Sequence, residues 1–113
     1  MDKKPYITME EVIAKQGEGK RGYKFLTEEN GCVNGCCSGV SVYADTEFNP
    51  NPGAHDDQEG FYVLEGEGYV KLNDLEFPIK AGDSFVALPG VFHTIKTASE
   101  AKPVKVFWFH SAV

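Results

Sequence analysis

Gly53-Ala54-His55-Asp56-Asp57-Gln58-Glu59-Gly60-Phe61-Tyr62-Val63-Leu64-Glu65-Gly66-Glu67-Gly68 is the stretch whose periodicity decides the fold. Phe61, Tyr62, Val63 and Leu64 form an aromatic and aliphatic run too short for a helix and closed by Gly66 and Gly68, which is a strand pattern. Residues of one parity share a face of a strand. Phe61 and Val63 therefore share a face with Glu59, while Tyr62 and Leu64 share the other. If the first face is core, Glu59 carries a carboxylate inward. That is costly unless the carboxylate is paired or bound to a metal. His55 stands four residues earlier, across a turn, where its ring reaches toward the same point.

Further strands are predicted on both sides of this one, at 23–26, 40–43, 69–72, 75–79, 84–88, 93–97 and 104–110. Asn49-Pro50-Asn51-Pro52-Gly53, Asn73-Asp74, Ala81-Gly82-Asp83 and Pro89-Gly90 supply the breaks between them. Many short strands joined by glycine and proline turns indicate an all-β sandwich or barrel. Residues 1–22 read as an N-terminal arm ahead of a single barrel domain at 23–113. Within the arm, Thr8-Met9-Glu10-Glu11 resembles a capping box and predicts a short helix over 8–15. The polar, glycine-rich residues 16–22 read as a linker. Several strands are apolar on both faces, so either the arm or a second copy is expected to cover the outside. A homodimer is the expected state.

The totals agree with one ordinary globular domain: 113 residues, 42% apolar and 25% charged. A net charge of -6 without any Lys/Arg cluster excludes a nucleic-acid binder. No apolar stretch reaches the roughly 18 residues of a membrane helix. The N-terminal residues carry charges but no apolar leader run, so the cytoplasm is the expected location. Cys32, Cys36 and Cys37 are an odd set on one loop. They are expected to be free thiols on a hairpin, with metal binding and a redox role as the alternatives.

The second chemical context is Gly82 to His93, where the Pro89-Gly90 turn starts a strand at His93. His93 shares parity with Ile95 and Thr97, which places it on an inward face. Two histidines and one carboxylate converging inside a barrel match the ligand preference of a first-row divalent metal. Asp56-Asp57 reads as a solvated turn, with Asp57 as an alternative oxygen ligand or base, and Gln58 as surface. His110 follows Val106 and Trp108 in parity; it reads as a strand-end histidine, with an inward site role as the alternative. Tyr43, Phe61, Phe85 and Trp108 are expected to line the interior.

These residues resemble a known family. The chain is similar to small, single-domain (cupin 2 type) members of the cupin superfamily, whose two motifs read G(X)5HXH(X)3-4E(X)6G and G(X)5PXG(X)2H(X)3N. Glu59 and Gly66 fall on the first motif without a gap, and His55 falls on the second histidine of its HXH pair. Gly82, Gly90 and His93 match the second motif in spacing. Among the departures, Gly53 stands at the first histidine, Leu88 at the proline with Pro89 one place late, and Thr97 at the asparagine. A second alignment, with His55 as the first histidine and Asp57 in the next ligand position, compresses the turn before Glu59.

The resemblance implies a double-stranded β-helix, a jelly-roll barrel. It also implies one divalent ion (iron, manganese, nickel, zinc or copper) near the barrel mouth, on His55, Glu59 and His93, and a small-molecule ligand in the interior. The expected function is a metal-dependent enzyme, whether dioxygenase, isomerase, epimerase or lyase, acting on a small organic acid, sugar or aromatic compound. The alternative is a non-catalytic ligand-binding or sensor cupin. Asp57, His110 or a tyrosine are the only candidates for a general base, and none stands at a diagnostic spacing.

Overall fold

Glycine, proline and asparagine turns cut the chain into short strands, as its sequence predicts. The structure, a computed structural model, describes residues 3–113. Helix α1 (Met9–Gln16) leads into β1 (Gly22–Lys24), β2 (Cys37–Tyr43), β3 (Gln58–Glu65), β4 (Glu67–Leu72), β5 (Leu75–Lys80), β6 (Ser84–Ala87), β7 (His93–Thr97) and β8 (Val104–Ser111). Two antiparallel sheets result, ordered β1-β2-β8-β3-β6 and β5-β4-β7, and they do not close into one continuous ladder. This is the jelly-roll, double-stranded β-helix architecture that the family resemblance implies, within the sandwich or barrel class expected from the strand pattern.

The helix forms where the capping signal places it. Thr8 Oγ1 accepts the Glu11 backbone N–H at 3.2 Å, and Gly17 ends the helix at a φ of 96°. Val12 is fully buried. The Gln16 side chain then clasps β1, donating to Lys24 O at 2.7 Å and accepting from Lys24 N at 3.1 Å. An edge strand is thereby partly capped.

Parity sorts the sheet faces as predicted. Phe61, Val63, Ala87, Val106 and Trp108 from the five-stranded sheet meet Val70, Ile79 and Ile95 from the other in one buried cluster. Tyr43 and Phe85 pack against it. Burying a side chain such as Phe61 contributes about 1.5–3 kcal/mol. Tyr62, Leu64, Val86, Phe107 and Phe109 remain exposed on the opposite face. There the Phe109 ring lies over Gly60, whose missing side chain makes the space.

Two strands begin earlier than their apolar runs. β2 starts at Cys37 and β3 at Gln58, because each pairs with the far end of β8: Cys37 opposite His110, Gln58 opposite Ser111 and Glu59 opposite His110. Glu59 therefore sits within a strand, on the core face. Cys32 and Cys36 lie in the loop between β1 and β2, Cys37 opens β2, and all three are free thiols. Among the described residues no helix is long and apolar enough to cross a membrane.

Glycines mark the tight places. Gly66 joins β3 to β4 at a φ of 86°, a conformation other residues adopt at a cost. Gly68 instead lies where β4 presses on β7: a Cβ there would overlap the Lys96 carbonyl oxygen. That carbonyl cannot retreat without disturbing the β4–β7 ladder. Gly68→Ala is expected to lower stability by about 1–3 kcal/mol. Urea unfolding followed by tryptophan fluorescence checks this, with Gly82→Ala, where a Cβ meets open space but φ is positive, as a backbone-strain comparison.

Candidate metal centre

One end of the molecule collects the polar groups that the core excludes. Glu59 lies on β3, opposite Ala87 of β6 and His110 of β8. His93 is the first residue of β7, in the other sheet. The segment before β3 is clamped over it: Gly53 forms an isolated bridge with His93 and accepts its N–H at 2.9 Å. His55 O accepts from Gly90 N at 2.8 Å. The proline-glycine turn thus holds both histidine-bearing segments at once.

Three imidazoles converge on one carboxylate oxygen. Glu59 Oε1 lies 3.3 Å from His93 Nε2, 3.4 Å from His110 Nε2 and 3.7 Å from His55 Nε2. Glu59 itself is only 8% exposed. The far nitrogen of His93, Nδ1, lies 3.3 Å from Val91 O. A carbonyl oxygen only accepts, so Nδ1 carries a hydrogen. In the neutral ring Nε2 is then a bare lone pair facing another lone pair on Glu59. Such an arrangement calls for a positive charge between the two. A proton can serve, and hydrogen bonding to Glu59, with further help from Val91 O, raises the His93 pKa above its ordinary value despite burial. A divalent ion serves the same purpose with more charge.

The donor set fits such an ion. The ligand atoms of His55, Glu59 and His93 all lie within 4.8 Å of one another, and metal–ligand bonds of about 2 Å require only modest closure of that space. All three residues predicted from sequence are therefore brought together. The structure adds two more. Asp57, expected in a solvated turn, is half-buried: its Oδ2 is 3.0 Å from His110 Nδ1, and its Oδ1 is buried without a hydrogen-bond partner. His110, read as a strand-end residue, points into the site. The signal for it was the shared parity with Val106 and Trp108, which register with β3 turns into proximity to Glu59.

A cleft of about 400 Å³ opens beside His93, with Arg21, Ser41, Tyr43, Asn49 and Thr94 among its walls. Burial, and secondarily the charge of Glu59, push the Tyr43 hydroxyl up to about 12. Tyr43 is thus a proton-bearing donor at neutral pH. Arg21 at the rim pairs with Asp45 at 3.3 Å. Behind the site, Phe61 stacks on Phe85 with centroids 4.5 Å apart. Trp108 meets the His110 ring edge-on at 5.3 Å while its Nε1 donates to Ser41 Oγ at 2.9 Å.

Comparison with known proteins agrees with this architecture. The chain is similar to acireductone dioxygenase of Saccharomyces cerevisiae, at 31% identity over 110 residues, covering 84% of this chain and 56% of that protein. The chain thus spans little more than half the length of that relative. Among solved structures, a cupin protein from Bacteroides fragilis superposes with a TM-score of 0.70 at 16% identity, over 97% of this chain and 86% of that one. A predicted oxalate decarboxylase from Thermotoga maritima gives a TM-score of 0.70 at 21% identity, over 81% and 79% of the two chains. Both likenesses concern the fold. The family model described as a cupin domain matches residues 41–110, which run from β2 through the site to His110. With the jelly roll, the motif glycines and this match in agreement, the chain belongs to the cupin family.

Proposed function

We propose that this cupin is a metal-dependent enzyme that holds one divalent ion with His55, Glu59 and His93 and acts on a small organic compound, a dioxygenase reaction being the first to test. The observation that carries the reading is the lone-pair confrontation at Glu59 Oε1, where His93 Nε2 approaches to 3.3 Å. Iron, manganese, nickel, zinc and copper all suit such nitrogen and oxygen donors. When bound, the ion would act as a Lewis acid and, if iron, would bind O2.

The chain's own residues then supply binding rather than base chemistry. Asp57 and His110 are occupied with each other. Tyr43, held protonated, donates to a ligand and removes no proton from it. The cleft suits a small molecule, since ligand pockets run to about 300–1,000 Å³. Chemistry that needs no protein base is favoured by this arrangement, and the yeast relative is by name a dioxygenase. The same scarcity of a base also supports the second reading, a ligand-binding or sensor cupin without turnover.

The outer face bears on assembly. Phe109 lies opposite Gly60 and Phe107 opposite Tyr62, with Val86 beside them on β6. We infer that a second copy covers this apolar patch, forming a homodimer. A cytoplasmic location, where thiols stay reduced, fits the three free cysteines.

Three outcomes are expected. Elemental analysis of protein reconstituted with Fe(II), Mn(II) or Zn(II) gives one ion per chain, and His93→Ala loses it; as pH is lowered, affinity begins to fall already above the ordinary histidine range, because a proton held on the raised-pKa His93 competes. A wild type that takes up no ion sinks the reading. The Fe(II) form consumes O2 with at least one small organic acid or aromatic compound in an electrode screen, whereas silence across such a panel favours the sensor alternative. Light scattering at micromolar concentration gives twice the chain mass; a monomer removes the dimer.

A further inference from the structure

The two cupin motifs draw ligands from the segment before β3, from β3 and from the start of β7. Here Gly53 stands at the first of those positions. It is bridged directly opposite His93, so a side chain there would share the face of His93, and the space over its Cα is open. The position lies beside the site and offers no ligand.

We propose that His110, on the last strand, is the fourth metal ligand in place of the absent histidine, and that Asp57 positions both His110 and His55 for coordination. The inference rests on the reading that the site holds a divalent ion. It assigns a ligand to a strand from which neither motif draws one.

The β3–β8 register comes first. Glu59 and His110 are directly opposite, so their side chains share the inward face. His110 Nε2 lies 3.4 Å from the same Oε1 that His93 approaches. The second observation is the tautomer. Asp57 Oδ2 sits 3.0 Å from His110 Nδ1, and an ionised carboxylate only accepts. The hydrogen is therefore on Nδ1, and Nε2 turns a lone pair toward Glu59. A histidine fixed through one nitrogen by a carboxylate is the usual arrangement for binding a metal through the other.

The third observation ties in His55. Its ring stacks on that of His110, with centroids 4.9 Å apart and planes 7° from parallel. Both Nδ1 edges consequently face Asp57, and both Nε2 edges face Glu59. Asp57 Oδ1 lies 3.8 Å from His55 Nδ1 and is the buried oxygen without a hydrogen-bond partner. A small rotation of His55 as it closes on an ion would satisfy that oxygen. Asp57 thus bridges the outer edges of two imidazoles, while Val91 O serves the third. The competing arrangement, an ion held by Asp57 with the Nδ1 atoms of His55 and His110, would leave Glu59 and His93 outside.

The test uses wild-type protein, 15N-labelled and titrated with Zn(II), read by long-range 1H–15N correlation. Only three histidines are present, so every ring signal is assignable. The expected result is that Nε2 of His55, His93 and His110 shift together, complete at one equivalent, with Nδ1 remaining protonated. If His55 and His93 shift while His110 keeps its metal-free signals, the inference is overturned and the three-residue site stands. If His110 responds at Nδ1, the competing arrangement holds. If no ring responds to zinc, the metal reading falls and takes this inference with it.

Variants give an independent readout. His110→Ala is expected to weaken Zn(II) binding by about 100-fold or more. Asp57→Asn should weaken it by about 10–100-fold with the number of shifted rings unchanged. Asp57→Asn should also move the Nδ1–H signals of His55 and His110 but not that of His93, which a general loss of structure would not do. Unchanged affinity in a folded His110→Ala protein overturns the proposal.

Discussion

A carboxylate on the core face of a central strand is the constraint around which this molecule is arranged. Glu59 shares its face with Phe61 and Val63, which are essentially inaccessible. An unpaired charge there would cost several kcal/mol. The chain answers by turning three imidazole nitrogens toward one oxygen, at 3.3 to 3.7 Å. Each imidazole comes from a different part of the fold: the clamped segment before β3, the start of β7 and the end of β8. The centre therefore exists only when both sheets and the connecting loop are in register. A slip of β8 by one residue would turn His110 out and bring Phe109 in, replacing the imidazole beside Glu59 with an apolar ring.

The surroundings favour a rigid, binding-competent centre over one that moves protons. Asp57 and His110 hold each other, Val91 O holds His93, and the tyrosine nearest in character to an acid–base group is pushed well above neutral pH. What is left open is the cleft on the β2–β7 side, with a donor hydroxyl, an arginine at the rim and the edge of His93. A small polar molecule suits such walls, where Asp45 and Glu47 offset the arginine. The solved cupins that superpose on this chain speak to the barrel and not to the reaction, because one scaffold hosts many chemistries. The yeast dioxygenase is nearer in sequence, yet its whole length is almost twice the matched region.

Much of the fold was legible along the chain. Alternation in Phe61-Tyr62-Val63-Leu64 placed the core and outer faces correctly, and the turn residues at Asn73-Asp74, Gly82 and Pro89-Gly90 delimited the strands. His55, Glu59 and His93 were legible as a set because parity and motif spacing point the same way. The strand starts at Cys37 and Gln58 were not, since neither Cys37, Ser38 and Gly39 nor Gln58 and Glu59 carry an apolar strand signature; pairing with β8 extends both strands. Asp57 was misread for a related reason. In sequence it follows another aspartate in a turn, and only the approach of β8 from far along the chain covers it.

Local residue chemistry, then, determined a chain of short β-strands with an inward carboxylate at Glu59 and His55 within its reach, and the spacing of the two family motifs added His93 and the jelly roll. The strand faces and the nearness of His55 to Glu59 depend on neighbours two to four positions away, which the chain carries openly, whereas His93 meets Glu59 only when the two sheets come together. Tertiary structure decided which other groups join them. His110 reaches Glu59 across a β3–β8 register that links positions about half the chain apart. Asp57 becomes a shared anchor because two stacked rings happen to present it the same edge. Register is a sum of many weak pairings, and no single stretch of sequence states it.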